Sequence, residues 1–123
     1  MIAIDSSSLR RFLEGSPGRD VDLVREAIAH GRAALPSVVL TEILSDPSLT
    51  PELVEDLSSL PLLEIADGYW RRSGLLRASL LKSGYKAKLA DVLIAQSCID
   101  NQVPIVTYDR DFRHFTRSGL SVL

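Results

Sequence analysis

The fold is decided at the start of the chain, by the segment Ile2-Ala3-Ile4-Asp5-Ser6-Ser7-Ser8. Its three apolar residues are typical of a short buried strand, and the polar residues from Asp5 onward end that strand. Leu9, Phe12 and Leu13 then follow at helical spacing. This opening predicts a strand, a turn and a helix, with Asp5 at the carboxyl end of the strand.

Apolar runs and amphipathic stretches alternate along the rest of the chain. The apolar runs predict four further strands, at 33–35, 62–65, 103–106 and 120–123. The amphipathic stretches predict helices at 20–32, 38–44, 51–60, 67–82 and 89–99. Asp20 is the expected N-cap of the first of these helices, and Glu64 places its strand near a sheet edge. Because strands alternate with helices, we expect an α/β fold, a three-layer α/β/α sandwich around a central parallel sheet of four to five short strands.

The composition indicates one globular unit. A chain of 123 residues with 46% hydrophobic and 24% charged residues is too apolar to stay disordered and too short for two cores. The single Cys98 excludes a disulfide framework, and no Cys or His cluster has the spacing of a zinc site. The N-terminus has no signal-peptide pattern, and no apolar run reaches about 18 residues. We expect a single domain over residues 1–123, located in the cytoplasm.

Four acidic residues stand where a structural role alone explains them poorly. Asp5 and Asp109 each follow a predicted strand, so both should lie at the carboxyl rim of the parallel sheet. Asp91 lies on an apolar helical face, where an unpaired carboxylate is disfavoured. Glu42 is the one charged residue in the predicted helix 38–44. The four acids are therefore candidates for a common site.

Each acid also has an ordinary structural interpretation. Asp5 would cap the next helix, and Asp109 with its neighbour Asp111 would form a turn. Asp91 would be a first-turn acid favoured by the helix dipole. Glu42 would occupy a solvated outer position. Taken singly, these interpretations stay open.

A shared pocket would give the acids a common chemistry. Their mutual repulsion would raise their pKa values and destabilise the fold unless a divalent cation lay between them. Oxygen ligands from Asp, Glu, Ser and Thr favour Mg²⁺ or Mn²⁺ over Zn²⁺. Such an ion deprotonates a water and stabilises negative charge on a phosphate. The acids therefore predict a Mg²⁺ or Mn²⁺ site that hydrolyses phosphodiester bonds.

The charge of the chain is divided unevenly. Residues 1–67 carry a net charge of −7 and residues 68–123 carry +5. Chance placement of charges on a solvated surface explains this difference about as well as a binding face does. A nuclease needs bases beside its acids, because they hold the backbone phosphates. The candidates for this role are Lys86, Lys88, Arg110 and Arg113. Nearby aromatic residues are limited to Tyr85, Tyr108 and Phe112, and base-specific recognition is not predicted from them.

Four segments resemble, in order, the acidic motifs of PIN-domain ribonucleases, and specifically those of the VapC-type toxins of type II toxin–antitoxin systems. The segments are Ile2-Ala3-Ile4-Asp5-Ser6-Ser7, Pro36-Ser37-Val38-Val39-Leu40-Thr41-Glu42-Ile43, Leu89-Ala90-Asp91-Val92-Leu93-Ile94-Ala95 and Val106-Thr107-Tyr108-Asp109-Arg110-Asp111-Phe112. Their acids are separated by 37, 49 and 18 residues. Each motif is weak alone, but the order and spacing together are fairly specific.

The resemblance implies a PIN-like fold and assigns roles to the matching residues. The catalytic and metal-binding set matches Asp5, Glu42, Asp91 and Asp109. Supporting positions beside the site match Ser6, Thr107 and Asp111. The resemblance also implies endonucleolytic cleavage of RNA by a water activated on Mg²⁺ or Mn²⁺. It further implies a homodimer and inhibition by a small antitoxin whose tail occupies the pocket.

Two other functions fit a chain of this length. A receiver domain also has a parallel sheet and an acidic pocket, but it needs paired acids after the first strand, where Asp5 stands alone, and a Lys after a late strand. A binding module that kept the fold without catalysis is the second alternative, although all four acids are present. Trp70, Leu75 and Leu76 are interpreted as an ordinary core face, with a dimer or antitoxin surface as the alternative.

Overall fold

The computed structural model describes residues 1–123 and contains three strands, six α-helices and one 3₁₀ helix. The strands are β1 (Ile2–Ile4), β2 (Ala33–Ala34) and β3 (Ile105–Val106). The helices are α1 (Ser6–Leu13), α2 (Arg19–Ala29), α3 (Ser37–Leu44), α4 (Pro51–Ser58), α5 (Tyr69–Lys82) and α6 (Leu89–Asn101). The 3₁₀ helix, Arg110–Ser118, follows β3. No helix is long and apolar enough to span a bilayer.

The sheet is parallel and has the order β2-β1-β3, so that the first strand lies in its centre. Ala3 and Ile4 are both fully buried. Because successive side chains of a strand point to opposite faces, both faces of the sheet are covered. This confirms the α/β fold with a central parallel sheet and helices on both sides.

The remaining predicted strands are reduced to single-residue bridges. Leu62 pairs in parallel with Leu35 at one edge, and Val122 pairs with Ile105 at the other. Two backbone hydrogen bonds hold each bridge, as at Leu35, whose N–H donates to Pro61 and whose carbonyl accepts from Leu63. Leu62 is 46% exposed, so little burial is available to extend this edge. The sheet therefore has three strands where four to five were predicted, and its outer segments lie where the sequence placed them.

Two predicted details are wrong. Asp20 does not cap α2, because Gly18 occupies the N-cap position and Asp20 lies within the first turn. Its carboxylate instead accepts from the buried Ser8 hydroxyl at 2.9 Å and from Arg11 Nε at 3.0 Å. Burial opposes ionisation, yet these bonds hold the pKa of Asp20 below its ordinary value. Asp20 thus ties α2 to α1.

The second error concerns α5, which was interpreted as an ordinary core helix. Its buried residues include Tyr69 and Leu80, and Leu76 is half-buried. Trp70 and Leu75, however, are 67% and 53% exposed. Apolar residues at helical spacing predict which face of a helix is buried only when the opposite face is polar. Helix α5 carries apolar residues on both faces.

Helix α5 is anchored to α6 by two polar contacts. The Tyr69 hydroxyl donates to the carbonyl oxygen of Leu93 at 2.6 Å, and Tyr69 is 2% exposed. Arg72 donates to Asp100, with Nη2 and Oδ2 2.6 Å apart. Because the first contact is buried, its loss leaves no water to replace it.

We predict that Tyr69→Phe lowers the free energy of unfolding by about 1 kcal/mol, since it deletes one buried hydrogen bond and keeps the ring. Urea unfolding measures the change. Tyr108→Phe is the matched control, because the Tyr108 side chain is exposed and its variant should unfold like the parent. Equal loss in both variants would contradict the anchoring role of Tyr69.

Candidate active site

Asp5 and Thr107 leave the sheet side by side. They follow β1 and β3, which pair with Ile4 opposite Val106. The backbone N–H of Asp5 donates to the carbonyl oxygen of Val106 at 2.9 Å. The Thr107 hydroxyl then donates to Asp5 Oδ2 at 2.8 Å. The parallel register therefore brings together two residues that are far apart in the chain.

A second hydroxyl holds the same carboxylate oxygen. Ser7 Oγ donates to Asp5 Oδ2 at 2.7 Å. Both hydroxyl oxygens accept in turn from the backbone, Ser7 from the N–H of Tyr108 at 3.1 Å and Thr107 from the N–H of Asp109 at 3.0 Å. Asp5 Oδ2 is thus fully engaged, while Oδ1 has no hydrogen bond. Asp5 occupies the N-cap position of α1, but its carboxylate accepts no bond from a backbone N–H of the helix, so the interpretation of Asp5 as a side-chain cap is wrong.

Ser7 is a residue of the site that the sequence predictions omitted. It belongs to the first acidic motif, but three serines follow Asp5 and nothing in the sequence distinguishes them. The structure separates their roles: Ser6 bonds Glu42, Ser7 bonds Asp5, and Ser8 bonds Asp20. Helical geometry causes this, because consecutive side chains point about 100° apart around the axis of α1.

Glu42 reaches the rim from α3, where it is half-buried. Ser6 Oγ donates to its Oε1 at 3.0 Å, a contact made where α1 packs on α3. Oε2 has no hydrogen bond. The solvated outer position that the sequence left open for Glu42 is therefore wrong.

Asp109 begins the 3₁₀ helix and confirms the turn interpretation. Its Oδ1 accepts from the backbone N–H of Asp111 at 2.9 Å, while Oδ2 has no hydrogen bond. The carboxylate of Asp111 makes no hydrogen bond, so Asp111 contributes through its backbone. The aromatic side chains of this 3₁₀ helix, Phe112 and Phe115, are buried and hold it against the core.

Asp91 is half-buried in the first turn of α6 and accepts no hydrogen bond. Burial, followed by the charges of Asp109, Asp5 and Glu42, raises the pKa of Asp91 from 3.8 to about 6. The nearby Lys88 opposes the shift. The carboxylate of Asp91 therefore lies close enough to the other three acids for their charges to act on its pKa.

The donor atoms at this rim suit a hard divalent cation. Each of the four carboxylates keeps at least one oxygen without a hydrogen bond, and none forms an ion pair, since the ion pairs of the protein are Arg11 with Asp20, Arg25 with Asp22 and Arg72 with Asp100. Oxygen donors of this kind fit Mg²⁺ or Mn²⁺. No three acidic, His or Cys side chains are close enough to form a ready-made ligand group. The four carboxylates therefore offer the type of oxygen donor that Mg²⁺ or Mn²⁺ binds, but they are not gathered into a complete set of ligands.

Three of the four candidate phosphate-binding bases lie near the acids. Arg110 and Arg113 are exposed and line a groove with Thr107, Tyr108 and Asp109. Lys88, also exposed, acts on the charge of Asp91. Lys86 is exposed but makes no contact that ties it to the acids.

A model of the PIN-domain family matches residues 2–118 of this chain. The chain belongs to the PIN-domain family. It is 30% identical to Ribonuclease VapC5 of Mycobacterium tuberculosis over 113 residues, which cover 82% of this chain and 79% of that protein.

Solved structures have the same fold as this PIN domain. It superposes on VapBC-1 from nontypeable Haemophilus influenzae with a TM-score of 0.78 and 16% identity, covering 100% of this chain and 97% of the other. VapBC2 from Rickettsia felis bound to a promoter DNA fragment gives 0.73 at 20% identity, with 100% and 98% covered. VapBC-5 from M. tuberculosis gives 0.63 at 21% identity, with 98% and 94% covered.

The raised pKa of Asp91 makes the stability of this PIN domain depend on pH. Between pH 3.8 and about 6 the folded state binds more protons at Asp91 than the unfolded chain. Protonated Asp91 therefore contributes to the free energy of unfolding below pH 3.8, and this contribution is lost as the pH rises through about 6. Above that range the metal-free protein keeps an ionised, unpaired Asp91.

We predict that Asp91→Asn stabilises the metal-free PIN domain at pH 8 by roughly 1 to 2 kcal/mol, after allowance for solvent screening at this half-buried site. The gain should nearly vanish at pH 3.5, where Asp91 is protonated in the folded protein. Urea unfolding in EDTA at both pH values measures it. Glu55→Gln on α4, an exposed position, is the control and should change stability little. A loss of several kcal/mol at pH 8 would identify Asp91 as a structural carboxylate.

Proposed function

We propose that this PIN domain is a Mg²⁺- or Mn²⁺-dependent endoribonuclease that acts as the toxin of a toxin–antitoxin pair in the cytoplasm. Asp5, Glu42, Asp91 and Asp109 are its proposed metal-binding and catalytic residues. The proposal rests on one observation: the four carboxylates, three of which act on the pKa of the fourth, form no ion pair, and each has an oxygen without a hydrogen bond. The similarity to Ribonuclease VapC5 supports the activity, and the similarity to VapBC-5 from M. tuberculosis, a member of the VapBC family of toxin–antitoxin systems, supports the toxin role.

Three of the four carboxylates are held in place before any ion binds. Asp5, Glu42 and Asp109 are each fixed through one oxygen, by hydroxyls in the first two cases and by a backbone N–H in the third. A bound Mg²⁺ or Mn²⁺ supplies a more acidic water and stabilises negative charge on the phosphate. Each of these carboxylates is oriented by the hydrogen bonds to one oxygen. Its other oxygen, and its negative charge, stay available for a cation.

The remaining polar groups have supporting roles in this proposal. Ser6 and Thr107, with Ser7, orient the carboxylates of Glu42 and Asp5. Asp111 supports the turn at Asp109 through its N–H. The bases hold the phosphates on either side of the scissile bond, through Lys88, Arg110 and Arg113, with Lys86 further away. These contacts go to the backbone of the RNA and carry no sequence information.

We predict that the purified protein cleaves a structured RNA in Mg²⁺ or Mn²⁺ and stops when EDTA is added. Asp5→Asn should lower the rate by at least about 100-fold, because it removes a ligand charge while keeping the shape of the side chain. Gel analysis of a labelled RNA measures both effects.

Asp46→Asn is the matched control, since Asp46 is an exposed acid that bonds Ser48 away from the rim. This variant should cleave like the wild type. If the wild type and Asp5→Asn degrade RNA equally, the activity comes from a contaminant. The chain would then be better described as a binding module that kept the fold.

We infer two protein partners for this toxin. The first is a small antitoxin, for which an apolar groove of about 330 Å³ between α1, α2 and α4 provides a surface. Its apolar lining consists of Leu9, Phe12, Leu13, Ile28, Leu53, Leu57 and Leu60. An amphipathic helix with apolar residues at helical spacing fits such a groove.

The second partner is another copy of this chain. Trp70, Ala78 and Leu81 lie on one exposed face of α5, at the spacing that aligns side chains along a helix. A small protein rarely leaves an apolar face of this kind in water. We propose that this face forms a homodimer.

We predict that Trp70→Glu shifts the protein toward a monomer and raises the dimer dissociation constant by at least about 10-fold, since it places a charge in an apolar contact. Sedimentation equilibrium measures the mass. Ala29→Glu, an exposed change on α2, is the control and should leave the dimer intact. A wild-type protein that stays monomeric at about 100 µM would overturn the dimer proposal.

A further inference from the structure

The structure leaves one aromatic side chain exposed beside the acids. Tyr108 follows Thr107 directly and is 61% exposed. Of the other two aromatic residues near the motifs, Phe112 is buried in the core. Tyr85 is half-buried and packs on His114, with their ring centroids 4.8 Å apart. Tyr108 alone offers a free ring face at this rim.

The ring of Tyr108 is supported from below by a cation. The guanidinium carbon of Arg11 lies 3.9 Å from the ring centroid, within the range of a cation–π contact. Arg11 is itself fixed, because its Nε donates to Asp20 and its Nη2 donates to the carbonyl oxygen of Pro17 at 2.7 Å. Ser8 holds Asp20 from within the core. The ring therefore rests on a side chain with little freedom to move.

The backbone of Tyr108 is tied to the acidic centre. Its N–H donates to Ser7 Oγ, and Ser7 donates to Asp5 Oδ2. Two consecutive hydrogen bonds thus link the backbone nitrogen of Tyr108 to Asp5, a proposed metal ligand. The Tyr108 side chain therefore starts beside the acidic centre.

Two grooves that contain arginines meet at Tyr108. One, of about 440 Å³, includes Arg11 and Arg19, and the other includes Arg110 and Arg113. Both share Thr107 and Tyr108. A strand of nucleic acid that passed from one groove to the other would cross the Tyr108 ring. Arg19 in the first groove, with Arg110 and Arg113 in the second, suits its phosphates.

We propose that Tyr108 is a substrate-binding residue on which one base of single-stranded RNA stacks, next to the scissile phosphate. This inference rests on the proposed ribonuclease function and assigns that function a binding position. A ring stacked on a fixed guanidinium binds every base through its π face. Tyr108 would therefore set which phosphodiester enters the acidic centre without setting which base is recognised.

Binding of a short single-stranded RNA to the wild-type chain in EDTA tests the proposal without cleavage. Tyr108→Leu keeps an apolar side chain but removes the ring, and it should raise the dissociation constant by about 5- to 150-fold, the equivalent of 1 to 3 kcal/mol for one stacked base. Tyr108→Phe keeps the ring and should bind like the wild type. Thermal unfolding should be unchanged in both variants, because the side chain is exposed.

A scan with abasic RNAs locates the stacked base. Removal of one particular base should weaken binding to the wild type and to Tyr108→Phe, and it should have no effect on Tyr108→Leu. A 2-aminopurine at that position should be quenched by the first two proteins and not by the third. These results would support stacking at a defined position.

Equal RNA binding by Tyr108→Leu and the wild type would overturn the inference. It would indicate that the exposed ring contacts a protein partner instead. An abasic effect of the same size in all three proteins would also overturn the inference. Cleavage in Mg²⁺ separates this failure from failure of the ribonuclease proposal. A Tyr108→Leu variant that cleaves at the wild-type rate, with an unchanged KM, overturns the stacking role alone, whereas a wild type that never cleaves overturns the enzyme.

Discussion

The parallel pairing of β1 with β3 is the constraint on which the site depends. With Ile4 opposite Val106, the residues that follow the two strands leave the sheet at the same end, although Asp5 and Thr107 are 102 positions apart in the chain. The central strand is buried on both faces, so a slip by one residue would exchange the small Ala3 and the larger Ile4 between two closely packed faces of the core. The hydrophobic core therefore fixes the hydrogen bonds that orient Asp5.

The fold pairs two of its half-buried arginines with carboxylates and leaves the acidic rim unpaired. Arg11 is matched by Asp20 and Arg72 by Asp100, and these contacts join helices. Asp91 has no such partner, and its raised pKa reflects the resulting cost of ionisation. Groups that are unfavourable for stability and gathered at the rim of a sheet are typical of functional sites. The same network of hydroxyls that orients Asp5 also positions the Tyr108 backbone, so the acids and the proposed RNA surface share one scaffold.

Much of the fold could be predicted from local patterns, because each strand and helix carries its own periodicity. The helix at 89–99 is present as Leu89–Asn101, and the opening strand is present as predicted. Edge strands were overestimated, since apolar runs such as 62–65 do not reveal that nothing covers their outer side. The 3₁₀ helix after Asp109 carried no periodic signal of its own and depends on burial of two phenylalanines.

By itself the sequence determined the alternation of strands and helices, the position of each acid along those elements, and the family that the four motifs resemble. Only the tertiary structure decided which serine bonds which acid, that Asp20 pairs with Arg11 rather than capping α2, and that Trp70 and Tyr108 face solvent. The physical reason is the range of the forces. Backbone propensity and helical spacing act over a few residues, whereas hydrogen bonds and burial depend on elements that meet only after the chain has folded.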